Sequence, residues 1–573
     1  MSFIHARHRR LLELDTKMFT TQRDTLLILW QEIAEQFYPE RADFTYQRTA
    51  GETFASDLDT SYPVLARRDL ANAFGSMLRP PAKQWFHIKK KGAESGLEDE
   101  RQWLDRAEAT LKRTLYDIES GFVRATKEAD NDYAAFGQAV ISSELATAPT
   151  TGQILLHRCW HLRDMAWTEN AYGQIGEIHR KWEPEARNLA ALFPETASDA
   201  LNNMAKEDPS AKVECRHIII EADAYDADNK KFGNKPYISV YLDLTNETML
   251  EEVGKWDRYY VIPRWQTVSG SQYAYSPATV AALPDARLIQ AMTYTLLAAG
   301  EKAVDPPLLG VSEAIKGGIE SYPGGFTAVD AVYDERLGEV VRPLHMNGEK
   351  YIPLGFDMIT DTRQMIAEAF YLNRLNLPEA QGGDMTAFEV SKRIEEFIRN
   401  ALPLFQPMEA DYNGALMQQD FDISLRNGGF GPEAEMPESL RGVGVEFEFE
   451  SPLNEAIDRI KGQQLLEAKG MALELEPLDP LALRMVDWRI GLRDALHGIG
   501  TPSDWMVEED ELDQIQEEQQ QEEAAMKLAE QTAIGAEVAG KVADAERTDS
   551  ETAAANMNLP PEEVDVAEEV GVI

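Results

Sequence analysis

Residues 259–309 read YYVIPRWQTVSGSQYAYSPATVAALPDARLIQAMTYTLLAAGEKAVDPPLL. An aromatic strand, a turn, a helix and a double-proline exit follow one another here, and this order decides the fold. The helix read over 284–299 is apolar on nearly every face, with Ala286, Leu288, Ile289, Met292, Leu296 and Leu297 spread around it. A soluble helix of this kind must be covered on several sides. Its own domain or neighbouring copies of the chain could supply that cover. Asp305-Pro306-Pro307 ends it, because proline lacks the amide hydrogen a helix needs.

Downstream, a Gly-, Pro- and β-rich insert runs to about residue 353. A second helix is expected over 356–372, carrying Phe356, Ile359, Ile366 and Phe370. A short loop, LNLPEAQGGD, leads to a third helix. There Thr386 and Glu389 have capping-box spacing, with Met385 and Val390 at the staple positions. Val390, Ile394, Phe397, Ile398 and Ala401 then form one apolar face. Val445, Phe447 and Phe449 alternate with Glu446, Glu448 and Glu450, the pattern of a strand with one wet face. Two or three helices are expected over 452–496. The tail from residue 506 is acidic and Gln-rich, and its end is too polar to build a core.

Upstream, residues 11–40 read as one helix, with Leu26, Leu29, Trp30 and Ile33 at helical spacing and Pro39 as its stop. Further helices are expected over 61–77, 98–121 and 124–143, with a strand at Trp85 to Ile88. From 152 to 263 the texture is β-rich, in runs such as ILLHRCWHL, VECRHIIIEADAYD and KPYISVYLDL, with one helix over 183–193. The class is α+β.

The chain of 573 residues is long enough for two to four domains, and 43% hydrophobic with 27% charged residues is ordinary for a globular protein. Two cysteines exclude a disulfide scaffold. The start lacks a signal-peptide core and no run approaches a membrane span, so synthesis and assembly in the cytoplasm are expected. The 56 basic and 99 acidic residues leave a net charge of -43. That opposes general nucleic-acid binding, which relies on neutralising phosphates. It suits a solubilising shell, or a passage along which DNA slides without sticking.

No catalytic signature stands. GAEVAGKV over 535–542 nearly spells a phosphate loop but lacks the Ser or Thr that would hold magnesium, and it does not follow a strand. His157, Cys159 and His161 would share one face of a strand, but no fourth zinc ligand has the usual spacing, so packing or hydrogen bonding is favoured. The acidic residues are too numerous for one pair to stand out as acid and base. No cofactor or metal is expected, and no enzymatic activity. Arg287, Lys302, Arg363 and Arg374 lie on or just beyond the expected helices. Repeated around a ring, each would form a circle of positive charge; pairing with acidic neighbours across subunits is the favoured alternative.

Several blocks occur in an order that resembles the head-to-tail connecting (portal) proteins of short-tailed, double-stranded DNA phages. They are the opening helix with Trp30 and Pro39, LRPPAKQWFHI, DYAAFGQAVIS, NAYGQIGEIHRKW, and the run from Val261 through Ser276-Pro277 and Leu283-Pro284-Asp285 to Pro307. The resemblance spans about residues 12–401. One departure is QYAYSP, where many relatives carry a glycine two residues before the Ser-Pro.

The resemblance implies a homo-oligomeric ring, usually of twelve copies, at one capsid vertex of the virion. It implies a wing over 1–276 and 386–451, stem helices over 277–304 and 355–374, and a small β-containing clip over 305–354. A tunnel loop over 375–385, a helical crown over 452–548 and an acidic tail over 549–573 complete the scheme. The tunnel loop would bring Asn376, Glu379, Gln381, Gly382, Gly383 and Asp384 to the DNA; the clip would bring Tyr322, Pro323, Phe326 and Arg336 to its partners. Those partners would be the terminase large subunit, the head-tail adaptor and tail proteins, the major capsid and scaffolding proteins, and passing double-stranded DNA. An acidic scaffold or adaptor without a channel, and a magnesium-holding hydrolase, are the alternatives.

Overall fold

The computed structural model describes residues 4–304 apart from short breaks, 308–310, 341–343, 352–375, 406–449 with one break, and short pieces between 462 and 526. The chain divides into two compact units, 1–463 and 464–573. In the second, residues 465–473 are helical. Everything below concerns the first unit.

Helix α1 (Ala6–Thr16) and helix α2 (Asp24–Phe37) are separate, joined by a π-helical turn at Lys17–Thr21. The single helix expected over 11–40 is therefore broken. The break lets Arg23 turn inward, where its guanidinium lies over the Phe19 and Trp30 rings and donates to the Leu162 carbonyl at 2.7 Å. Helix α3 (Tyr62–Leu78) and strand β1 (Phe86–Lys90) follow as expected, whereas helix α4 (Glu98–Leu115) ends before the expected residue 121.

Helix α5 (Phe122–Phe136) stops well short of residue 143. Gly137 adopts φ +73° at its C-terminus, and the chain continues into strand β2 (Ile141–Ala148). A Cβ on Gly137 would lie 2.1 Å from the Tyr275 carbonyl carbon, so only glycine fits. Strand β2 pairs with β3 (Gly152–Cys159) and with β9 (Tyr260–Val261).

Strands β4 (Met165–Glu169), β5 (Ile175–Trp182), β6 (Cys215–Glu221), β7 (Tyr237–Asp243) and β8 (Thr248–Lys255) form an antiparallel sheet in that order. Alternation along β6 and β7 sends Ile218, Ile220, Val240 and Leu242 to one face, where Leu11 of α1 covers them. Cys215 and Tyr241 face the other side, under helices α6 (Ala186–Leu192) and α7 (Asp199–Glu207). Helix α1 is pinned to the sheet by Asp15, which accepts from His179 Nδ1 at 3.0 Å and Arg216 Nε at 2.9 Å. A short helix, α8 (Ala222–Tyr225), follows β6.

The opening stretch is built onto the α5–β2 turn. Trp265 donates its amide to the Gly137 carbonyl at 2.7 Å and stacks on Tyr133 at 5.3 Å. Strands β10 (Gln266–Thr267) and β11 (Ala274–Tyr275) make a small hairpin, and Ala274 donates to Gln138 Oε1 at 2.9 Å. Ala274, at the position of the expected glycine, sits fully buried with its backbone paired, so the turn forms without glycine. Ser276 and Thr279 donate to the carbonyls of Ala134 and Ala135 at 2.7 and 2.8 Å. These carbonyls end α5 and need outside donors. Helix α9 (Pro277–Val304) starts from this junction.

Beyond α9, strands β12 (Leu308–Gly310) and β13 (Val341–Pro343) pair antiparallel within the 305–354 insert. Helix α10 (Ile352–Ala369) returns to the body, followed by the short α11 (Leu372–Leu375). Helix α12 (Ala415–Arg426) packs beside β2, and β14 (Val445–Phe449) pairs with β1, placing Phe449 opposite Phe86. The third helix expected after Thr386 lies outside the described residues.

Candidate functional site

Helices α9 and α10 pack together as two rods. They run antiparallel: Gly355, at the start of α10, lies against Leu296 in the second half of α9, while Phe370, just past α10, meets Phe37 of α2 at 5.3 Å. The sequence reading expected both rods, but not their division into halves.

The body half of α9 buries Ala278, Ala282, Leu283, Ala286 and Ile289 against α2 and α5. Three of these are alanines, which let the helices approach closely. The last buried residue is Gln290. Its Oε1 accepts from the amides of Asp59 and Thr60 at 2.8 and 2.9 Å. Among the described residues from 291 to 304, none is buried. Helix α10 repeats the division: Ile359, Thr362, Ile366 and Ala367 are buried, whereas no residue from 352 to 358 is.

The outer halves are not polar. No charged residue occurs between Leu288 and Gly300. Tyr294 is 66% exposed, Leu297 56% and Phe356 59%. Phe356, at the start of the second expected helix, is turned outward. Between the rods runs a groove of about 390 Å³, lined by Ala291, Thr295, Leu296, Ala299, Gly355 and Met358 among others. Sequence reasoning missed one further feature. Asp357, Asp361 and Glu368 are exposed on α10, spaced to lie on one side, opposite the buried stripe. Their spacing was the available signal.

The four basic residues do not behave alike. Arg287 pairs with Glu32 of its own chain, its Nε donating at 2.6 Å. Arg363 lies 5.6 Å from the Tyr62 ring centroid. Lys302 is exposed near the outer end of α9. Arg374 lies in α11. The tunnel-loop residues Asn376, Glu379, Gln381, Gly382, Gly383 and Asp384, and the clip residues Tyr322, Pro323, Phe326 and Arg336, lie outside the described residues.

The three residues weighed as zinc ligands each engage a different carboxylate. His157 Nε2 meets Asp420 at 3.0 Å, His161 meets Asp43 at 2.5 Å, and Cys159 donates to Asp132 at 3.7 Å. Ser143 also donates to Asp420, so α12 is tied to both β2 and β3 through one buried carboxylate. Burial and the nearby Asp132 push the Cys159 thiol well above its usual range, which suppresses the thiolate a metal would need. Among the described residues no group of three or more His, Cys, Asp or Glu could hold a metal ion, and no helix is long and apolar enough to cross a membrane.

The family model described as bacteriophage head to tail connecting protein matches residues 10–507. The chain belongs to that family. The match takes in the body, both rods and the insert between them. The portal protein of Salmonella phage epsilon15 is 24% identical over 331 residues, covering 56% of this chain and 58% of that protein. The chain thus aligns with a little over half the length of this relative. Two solved assemblies also align with this family member. One is the virion of a native gene transfer agent particle, with TM-score 0.36 and 12% identity over 73% of this chain and 89% of that one. The other is the neck of an empty gene transfer agent particle computed with C6 symmetry, with TM-score 0.35 and 13% identity over 72% and 86%.

Proposed function

We propose that copies of this chain close into a portal ring at one capsid vertex, enclosing a channel for double-stranded DNA during packaging and ejection. The observation that carries this reading is the pair of rods whose outer halves are apolar yet unburied. Water-exposed apolar surface of that extent stabilises nothing in a lone chain and marks an interaction surface. Membership of the connector family supports the same reading.

In this arrangement residues 277–304 and 355–374 form the stem, and 305–354 form the clip, where the terminase large subunit and later the head-tail adaptor and tail dock. Residues 1–276 and 386–451 form the wing, meeting capsid and scaffolding proteins; residues 452–548 form the crown. The loop 375–385 meets the DNA, with Gly382 and Gly383 giving it backbone freedom. The mechanism is mechanical. The motor hydrolyses ATP, and this chain supplies conduit and docking ring without chemistry of its own. Asp357, Asp361 and Glu368, repeated around the ring, give the lumen negative charge. At physiological salt such charges act over about 8 Å, enough to keep phosphates off the wall without a lasting bond.

Negative-stain images of the purified chain test the proposal: rings with a central hole are expected. Compact or elongated particles without a hole would favour an acidic scaffold or adaptor instead.

A further inference from the structure

The ribbon of β1 and β14 has two outer edges, and only one of them is closed. The two strands form a sheet of their own, with Ile88 opposite Phe447 and Lys90 opposite Val445. Lys91 donates its amide to the Gly444 carbonyl at 3.0 Å, which fixes the phase of the ladder. Backbone bonds alternate along an antiparallel pair, so Lys89 and Glu446 bond across the ribbon while Phe86, Ile88, Val445 and Phe447 turn their backbone groups outward. On β1 that edge is closed by side chains. The Ile88 amide donates to Glu108 Oε2 at 3.3 Å, and Gln84 Nε2 donates to the Phe86 carbonyl at 2.9 Å. On β14 no described residue bonds to the outward backbone of Val445 or Phe447. This edge instead forms one wall of a groove of about 560 Å³. Every residue from Val445 to Phe449 lines it, so the groove follows the edge of the strand and not one of its faces. The other wall is a π-helical turn, Glu409–Gly414, with Gln418 of α12.

We propose that this groove takes an extended segment of another protein as a third strand, with apolar and basic residues alternating along it. The inference goes beyond the ring reading and does not rest on it. An unpaired strand edge recruits extended backbone through its amides and carbonyls. Side chains then choose the sequence. Phe447 and Phe449 are half-buried, with ring centroids 6.4 Å apart, so a strand beside them places apolar residues on that face. Glu446 and Glu448 are exposed on the other face. Lys89 meets Glu448 from the β1 side, and a basic residue in the groove repeats that pairing from the opposite side. The charged residues lining the groove are Glu409, Glu446 and Glu448 against Lys91, which again selects a cation. A second copy of the ribbon fits poorly. Its own edge lies behind its π-helical wall, and its glutamates would meet glutamates, a destabilising pairing.

The probe is a short fluorescein-labelled peptide of alternating valine and lysine, added to the full chain. Anisotropy reads binding, and hydrogen exchange reads its place. The amides of Val445 and Phe447 are expected to exchange freely without the peptide and to be protected with it. The same peptide N-methylated along its backbone keeps its charge but loses its amide hydrogens, and about tenfold weaker binding is expected. A valine–glutamate peptide is expected not to bind, and Glu446→Lys combined with Glu448→Lys to reverse the preference. Equal binding of the plain and N-methylated peptides would reduce the effect to attraction by an acidic chain and overturn the proposal. So would protection confined to residues outside 445–449. Val445 and Phe447 amides already protected without peptide would show the edge closed within the chain, and protection that grows with chain concentration would make a second copy the occupant; either result overturns the proposal.

Discussion

From Ala278 to Gln290, helix α9 presents a continuous buried stripe to the body; from Ala291 to Val304 it presents none among the described residues. The two halves are similarly apolar in sequence, so composition does not separate them. What separates them is the supply of partners. The body half meets α2, α5 and the loop at Asp59 and Thr60. The outer half meets chiefly α10, which is itself uncovered there. An apolar helix thus reports a need for cover without saying which molecule provides it.

The largest expected effect lies at the junction where the body half begins. Gly137→Ala must both hold a positive φ and place a methyl group inside the Tyr275–Ser276 backbone. Loss of soluble, folded protein is expected, measured by expression yield and circular dichroism. Normal folding would show that the start of α9 is not fixed by this junction.

The comparison sharpens with two substitutions on the same helix. Ile289→Ala, at a fully buried site, is expected to lower unfolding free energy by about 2–5 kcal/mol. Leu297→Ala, more than half exposed, is expected to stay within about 0.5 kcal/mol for the dissociated chain. Urea titration below the assembly concentration checks both, and equal losses would erase the boundary at Gln290.

Next comes Asp420→Ala. It leaves His157 and Ser143 buried without their shared acceptor and is expected to cost about 3 kcal/mol. The loss should appear in the body and leave the rods' exposure unchanged, as thiol labelling at Leu297→Cys would report.

The smaller pH effect concerns the α1 clamp. Burial alone would lower the pKa of His179, but its bonds to Asp15 and Glu177 outweigh that and raise it above the usual 6.5. Burial alone would raise Asp15, but His179 and Arg216 outweigh that and bring it below 3.8. The His179 contribution is therefore full below pH 6.5 and fades as pH rises through its raised value. The Asp15 contribution is full above 3.8 and fades as pH falls through its depressed value. Protection from hydrogen exchange in residues 6–16, relative to the intrinsic rate at each pH, should be greatest between those limits, and Asp15→Asn should flatten the profile. A comparably small effect is Arg287→Ala, which removes a largely exposed pair with Glu32 and is expected to change stability by less than about 1 kcal/mol.

How much of this was legible follows the same division between covered and uncovered surface. Strands β6 and β7 stood out because both their faces are buried and their residues say so. The edge strands β4 and β8 did not; β8 carries Glu251, Glu252 and Lys255. Helix α5 was read too far because Val140 continues the spacing of Tyr133 and Phe136 by coincidence, while the stop signal was Gly137 alone. Helix α7 escaped because only Leu201 is buried along it. For the candidate site, both rods and their apolar character were legible from spacing. Their halves were not, since burial depends on residues distant in sequence, such as Glu32, Asp59 and Phe37. The outward turn of Phe356 was hidden for the same reason.

The most direct test is sedimentation velocity on the purified full chain and on Leu297→Asp at matched concentration. A discrete species many times the mass of one chain is expected for the wild type. The variant should collapse to a monomer with unchanged far-ultraviolet circular dichroism. A wild-type chain that stays monomeric and well folded at high concentration would contradict the account.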